Sequence, residues 1–268
     1  MSRAGQRKPQ RDNGAVIWRG PSLLTGGPIV VVVTGLSDKS RNAKVGDALT
    51  AWILCQDMNP NQAVETGTDR DICGDCRLRG DGVHGRGCYV TYWQAALNVW
   101  RTVPWRPFVA PEVLARRLIG RTVRLAGYGD PAAVPVVVWA TLLSRAGGWV
   151  GYTQQWGTCD PGLRMYCMAS VFSEAEAAKA QAAGWRTYRV RTPDQPVAAG
   201  EIVCPASNEA GHKLTCADCR LCEGAARDRV NVAIIAHGKP GNLKAFGMKP
   251  AGGLFGRPAG KVVHLQPA

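Results

Sequence analysis

The chain contains no run of 18 apolar residues, and its longest apolar candidate, Pro28 to Thr34, is only strand length. No membrane-spanning helix is therefore expected. The N-terminal stretch MSRAGQRKPQRDN is basic but has no apolar core segment, so no secretory signal is expected either. Two nucleotide-binding signatures are missing. TGLSDKSRN, after the first apolar run, is not G-x-G-x-x-G, and no lysine is placed as in a P-loop. There is no internal repeat. Acidic side chains are scarce, with 20 Asp and Glu against 33 Lys and Arg. A chain of 268 residues can bury a sizeable core without disulfide staples. Ten cysteines in what reads as a soluble, cytoplasmic protein then point to metal rather than to disulfides.

The net charge of +13 is unevenly spread. Residues 1–13 carry +3 and residues 239–268 carry +5. Both ends are also rich in Gly, Pro or polar residues, which predicts mobile basic arms that attract nucleic-acid phosphate irrespective of sequence. A solubilising tail without a partner has the same composition. The expected organisation is a basic arm over 1–20, one domain over 21–238 and a basic tail over 239–268.

Between the arms, strands alternate with helices. GPIVVVVTG reads as a fully buried strand, whereas AKVGDALTAWILCQD has helical spacing at Val45, Leu49, Trp52 and Ile53. YVTYWQAALNVW and PEVLARRLIG read as amphipathic helices, the second closed by Gly120. RTVRLAGYGDP is a strand whose Asp130-Pro131 opens a helix. WVGYTQQW, LRMYCMASV, WRTYRV, EIVCPAS and VNVAIIAHG are further strands, and SEAEAAKAQAAG is a helix capped by Ser173. About seven short strands alternating with helices predict an α/β fold, a compact or incomplete (β/α)8-like barrel with cysteine-rich metal-binding loops.

In such a fold the polar residues just beyond the strand C-termini form the working face. Thr34 and Ser37, Tyr128 and Asp130, Tyr152 to Gln155, Ser170, Arg189 and Arg191, Cys204 and Ser207, and His237 occupy those places. Asp130 precedes a proline at a strand-to-helix turn, so helix capping and catalysis both suit it. His237 is a candidate catalytic group, and a core histidine fits the same position. Arg189 and Arg191 face one side of their strand, where they suit a phosphate or an internal ion pair.

Seven cysteines fall into two groups. Cys204-x11-Cys216-x2-Cys219-x2-Cys222 offers four thiolates, enough for tetrahedral zinc or a [4Fe–4S] cluster. Cys73-x2-Cys76-x11-Cys88 offers three, with His84 inside the loop as a candidate fourth ligand. Cys55, Cys159 and Cys167 lie in apolar segments and read as packing residues.

Taken in order, ICGDC, GRGCYV, VRLAGYGDPAAVPVVVW, GYTQQW, the C-terminal cysteine set and AIIAHG resemble a family of phage proteins of the "gene product 88" type, over roughly residues 28–238. That family is more remotely similar to tRNA-guanine transglycosylase-like enzymes, whose phage members exchange guanine in DNA for a 7-deazaguanine and so shield it from restriction. The resemblance implies a DNA-modification transglycosylase of an infected bacterial cell, with DNA and a deazapurine as substrates. It further implies two aspartates, one attacking the sugar C1′ and one moving a proton. Asp130 matches one; Asp38, Asp47, Asp75 and Asp160 are open alternatives for the other. Two further classes stay open: a radical S-adenosylmethionine-like iron–sulfur enzyme, and a metal-stapled DNA-binding protein without catalysis.

Overall fold

The protein is described by a computed structural model covering residues 13–38, 44–80, 85–226, 230–238 and 240–245. It is a mixed α/β structure built on two five-stranded sheets. The first has the order β1 (Gly14–Pro21), β2 (Pro28–Thr34), β3 (Leu49–Cys55), β4 (Thr122–Tyr128) and β5 (Gly148–Val150). The second runs β6 (Tyr152–Thr153), β7 (Met168–Val171), β8 (Thr187–Arg191), β10 (Asn231–Ile235) and β9 (Glu201–Val203). β1 to β3 form an antiparallel meander; from β3 onward every pairing is parallel, and the second sheet is parallel throughout.

β5 and β6 are one stretch of chain interrupted at Gly151, so the parallel run passes from one sheet to the next there. A side chain at Gly151 would meet Cys167 Sγ at 2.8 Å and Tyr166 O at 2.9 Å. Gly151 N–H donates to Cys222 O and its carbonyl accepts from Met168, which ties the break to the cysteine-rich C-terminal segment. The expected barrel is not formed: the strands make two separate sheets that end at β1 and β9, and no closed barrel forms among the described residues.

Three local expectations are corrected. The segment with helical spacing, Val45 to Ile53, holds a turn followed by β3. Leu49, Ala51, Ile53 and Leu54 are buried on both faces of that strand, between β2 and β4. A strand covered on both sides is apolar nearly throughout, so a 3.6-residue spacing can be picked out of it by chance. Residues 14–20, expected in the N-terminal arm, form β1, with Ala15, Val16 and Ile17 in the core. In the expected C-terminal tail, Pro240–Ala245 is a short helix with Leu243 buried. The remaining arm residues, 1–12 and 246–268, lie outside the described residues, as does His84. No helix among the described residues is long and apolar enough to cross a membrane.

The main core joins the valines of β2 to β3, β4 and Trp139 of the helix Val136–Leu143. Val30 to Val33 are wholly buried, which explains why this run carries no polar position. A smaller core under the second sheet includes Val150, Met168, Tyr188, Val232 and two cysteines, Cys204 and Cys222.

Candidate active site

β4 fixes where the site lies. Arg124, Ala126 and Tyr128 alternate along it, share one face, and line an inner cavity of about 210 Å³. Ser170 of β7, Tyr188 of β8, Ile234 of β10 and His237 just beyond it form the opposite wall. A face made of successive parallel-strand C-termini is where α/β folds present ligand sites.

Asp130 enters this cavity because of what surrounds its turn. Gly129 adopts φ +84, a left-handed conformation beside Ile53 that a Cβ would crowd at 2.7 Å. The chain then turns, and Asp130 Oδ1 accepts from Ala132 N at 2.9 Å, capping the short helix Pro131–Ala133. Trp139 Nε1 donates to Pro131 O at 3.0 Å, so the most buried large side chain anchors that cap. Asp130 Oδ2 accepts from Gln154 N at 2.8 Å, linking β4 to the chain after β6. The residue therefore caps and lines the cavity at once. Burial pushes its pKa from 3.8 up to about 6, against the opposing pull of hydrogen bonds from Ala132, Thr153 and Gln154. It is the one carboxylate lining the cavity among the described residues. None of Asp38, Asp47, Asp75 and Asp160 lines it. Asp75 faces solvent with Arg70, and Asp160 caps its own turn at Gly162.

Of the candidate residues, Tyr128, Tyr152, Ser170 and His237 all line the cavity. The Tyr128 hydroxyl is buried without a hydrogen-bond partner. Tyr152 packs against Tyr188 with ring centroids 4.4 Å apart, and Gln154 Nε2 donates to Ser170 Oγ at 2.7 Å. His237 stacks on Tyr89 at 4.8 Å, and its pKa is lowered by burial and by the nearby charges of Lys44 and Arg124.

Three expected substrate residues are elsewhere. Gln155 points out of the cavity, donating to Cys73 O at 3.1 Å; its neighbour Gln154 takes the lining position. Ser207 is buried in a turn, its hydroxyl accepting from Ala210 N. Arg189 is buried in a two-pronged ion pair with Glu201, at 2.8 and 2.6 Å, and also donates to Pro196 O. That pairing satisfies the guanidinium internally. Arg191 pairs with Glu209 and borders a separate outer cavity.

The first cysteine group lies on the loop that walls this site. Cys73, Cys76 and Cys88 all line the inner cavity, and burial, reinforced by the other two thiols, raises the Cys73 pKa well above its ordinary value. Asp69, itself 1% exposed, holds the loop through Arg79 at 2.6 Å and Arg86 at 2.7 Å. Asn242 Nδ2 donates to the carbonyls of Arg86 and Cys88 at 2.9 Å each. The far side of the loop faces the outer cavity, of about 630 Å³, so Cys76, Leu78 and Gly87 separate two compartments.

Cys204, Cys216, Cys219 and Cys222 line one small cavity of about 10 Å³ beneath Tyr152. Thr215 caps the turn Cys216–Cys219, and Cys216 N donates to Lys44 O, fixing the segment against the first sheet. The donor type and the shared cavity suit a thiophilic ion. The geometry stops short of a ligand sphere: among the described residues no group of three or more Cys, His, Asp or Glu forms a metal-binding set. The expected metal-binding loops are thus present as thiol groupings without a preformed ligand set. A thiol keeps its proton in an apolar surround until a cation replaces it, and burial raises the pKa of both Cys216 and Cys222.

Sequence reasoning overlooked Arg124, Lys44, Tyr188 and Asp69, and it had Gln154 only within the strand-end run Tyr152 to Gln155. Arg124 had a legible signal, a lone charge inside the apolar strand TVRLAGY. No protein-family model, no curated protein and no solved structure matches the chain.

Proposed function

We propose that the protein exchanges guanine in DNA for a 7-deazaguanine derivative at the inner cavity, with Asp130 as nucleophile. The observation that carries this reading is a buried carboxylate at a parallel-strand end, the one carboxylate among the described residues that lines the cavity, held by backbone N–H donors and facing paired tyrosines. An extruded base can stack on Tyr152 and Tyr188, while Ser170 and Gln154 offer hydrogen bonds to its edge. The Asp130 carboxylate attacks C1′ as the C1′–N9 bond breaks, giving a glycosyl ester and a guanine anion that takes a proton from water and leaves as free guanine. The deazapurine then displaces the carboxylate, losing its N9 proton as the new C1′–N9 bond forms. His237, held neutral by its surroundings, is the candidate acceptor of that proton. The motif resemblance and the basic arms support DNA as the polymer substrate. A zinc ion or an iron–sulfur cluster on Cys204, Cys216, Cys219 and Cys222 would clamp the C-terminal segment under this site, and no step passes through it.

Labelled guanine or deazaguanine incubated with DNA and the purified protein should enter the polymer with release of unlabelled guanine. Failure of any base to exchange, with the protein folded and DNA bound, would remove the reading. One observation favours a second reading, an iron–sulfur enzyme: Cys73, Cys76 and Cys88 line the same cavity as Asp130. A colourless preparation made without oxygen, with no iron or labile sulfide, would dispose of it.

A further inference from the structure

Arg124 is an unusual group to find in the wall of a strand-lined cavity. Its Nε donates to Ala126 O at 3.2 Å and one terminal nitrogen donates to the Tyr89 hydroxyl at 3.2 Å. Among the described residues no carboxylate pairs with it, whereas Arg189 and Arg191 on β8 each have a glutamate. A partly buried guanidinium left with neutral acceptors carries a desolvation cost that an anion would offset. Lys44 lines the same cavity, and both cations are near enough to His237 to depress its pKa. The positive charge is gathered in one corner, while Asp130 is the single lining carboxylate.

We propose that Arg124 and Lys44 form an anion-binding corner of the inner cavity that takes a phosphate group of a nucleotide. The choice of a nucleotide rests on the base-exchange reading. The phosphate preference follows from two cations lining one cavity, with the Tyr89 hydroxyl beside Arg124. The tilted pair Tyr152 and Tyr188 lies in the same cavity, so a purine and its phosphate can be held together. The phosphate can come from a free mononucleotide or from the backbone of an extruded DNA residue, and the chemistry at Arg124 is the same for both.

The test compares guanosine, GMP, inorganic phosphate and a short single-stranded oligonucleotide with one central guanine, each titrated calorimetrically into the full chain. Wild type should bind GMP, the oligonucleotide or both about tenfold or more tighter than guanosine, as one charge-assisted contact warrants. Tight GMP binding identifies a free nucleotide as the source, and binding of the oligonucleotide alone identifies the backbone. Arg124→Gln should erase the preference, and Arg124→Lys should restore part of it. Lys44→Gln lies outside every strand and gives the same reading should Arg124→Gln not fold. Equal affinity for GMP and guanosine, with oligonucleotide binding unchanged in the variants, would overturn the proposal. So would loss of thiol-bound metal from Arg124→Gln with the phosphate preference intact, because the cation would then serve Cys216 instead. Base exchange and phosphate preference are read separately, so either can fail while the other stands.

Discussion

Replacing Asp130 by asparagine separates its capping role from the proposed nucleophilic one and gives a pH signature. The native carboxyl titrates near about 6, against 3.8 for an ordinary aspartate. Between those values the folded protein keeps a proton that the unfolded chain has released, so the native state binds more protons. Linkage then makes stability fall as pH rises through that window and stay at the lower level above it. At about 1.36 kcal/mol per pKa unit, the loss is about 3 kcal/mol. Asparagine does not titrate, but it has one carbonyl oxygen for the two N–H donors of Ala132 and Gln154. One donor therefore loses its acceptor, at a pH-independent cost of about 1–3 kcal/mol. The expected outcome is a variant less stable than wild type at about pH 4 and close to it at about pH 7, measured by urea unfolding. Its base exchange should be absent, and wild-type exchange should decline below about pH 6 as the nucleophile is protonated. Parallel stability curves for the two proteins would refute the burial argument. Near-normal exchange by the asparagine variant would leave Asp130 as a cap only.

Three further outcomes follow from the same contacts. Asp69→Ala leaves Arg79 and Arg86 without their buried carboxylate and should cost about 3–5 kcal/mol, read as a lowered urea midpoint and faster proteolysis of the 73–88 loop. Cys219→Ser should lower bound metal, measured by elemental analysis, and give protease-sensitive protein; full metal occupancy with normal solubility would remove that site. Deleting residues 1–12 and 247–268 removes +3 from each end and should weaken DNA binding and flatten its salt dependence, whereas an unchanged slope in a salt titration would free the arms of that role.

The parallel half of the fold was legible because its signals are local. Asp130-Pro131 after an apolar strand marks a strand end and a helix start, and Ser173 with Glu176 marks the helix Glu174–Ala182, whose cap the structure forms. β1 was missed because its eight residues abut a basic segment and carry Arg19 among their outward positions. Its pairing with β2 includes an irregularity between Val16 and Trp18, which breaks the alternation a reader would look for. β3 was misread for the opposite reason: burial on both faces left it Thr50 alone as a polar residue, too little to set a period of two.

The site was legible only where a single residue type carries the chemistry at a strand end. Arg189 and Arg124 show the limit. Arg124 is the lone charge of its strand and Arg189 shares its strand with Arg191, yet nothing in the flanking residues shows which of the two is paired internally. Glu201, twelve positions after Arg189, lies on β9, which reaches β8 only through β10. Glu201 therefore pairs with Arg189 across two strand spacings, a relation set by the parallel crossover order and invisible in sequence. Among the described residues Arg124 has no carboxylate partner, and the next carboxylate along the chain, Asp130, is held by two backbone donors beyond Gly129. Topology thus neutralises one arginine and leaves the other facing the cavity, and that difference gives the inner cavity both a carboxylate and a cation.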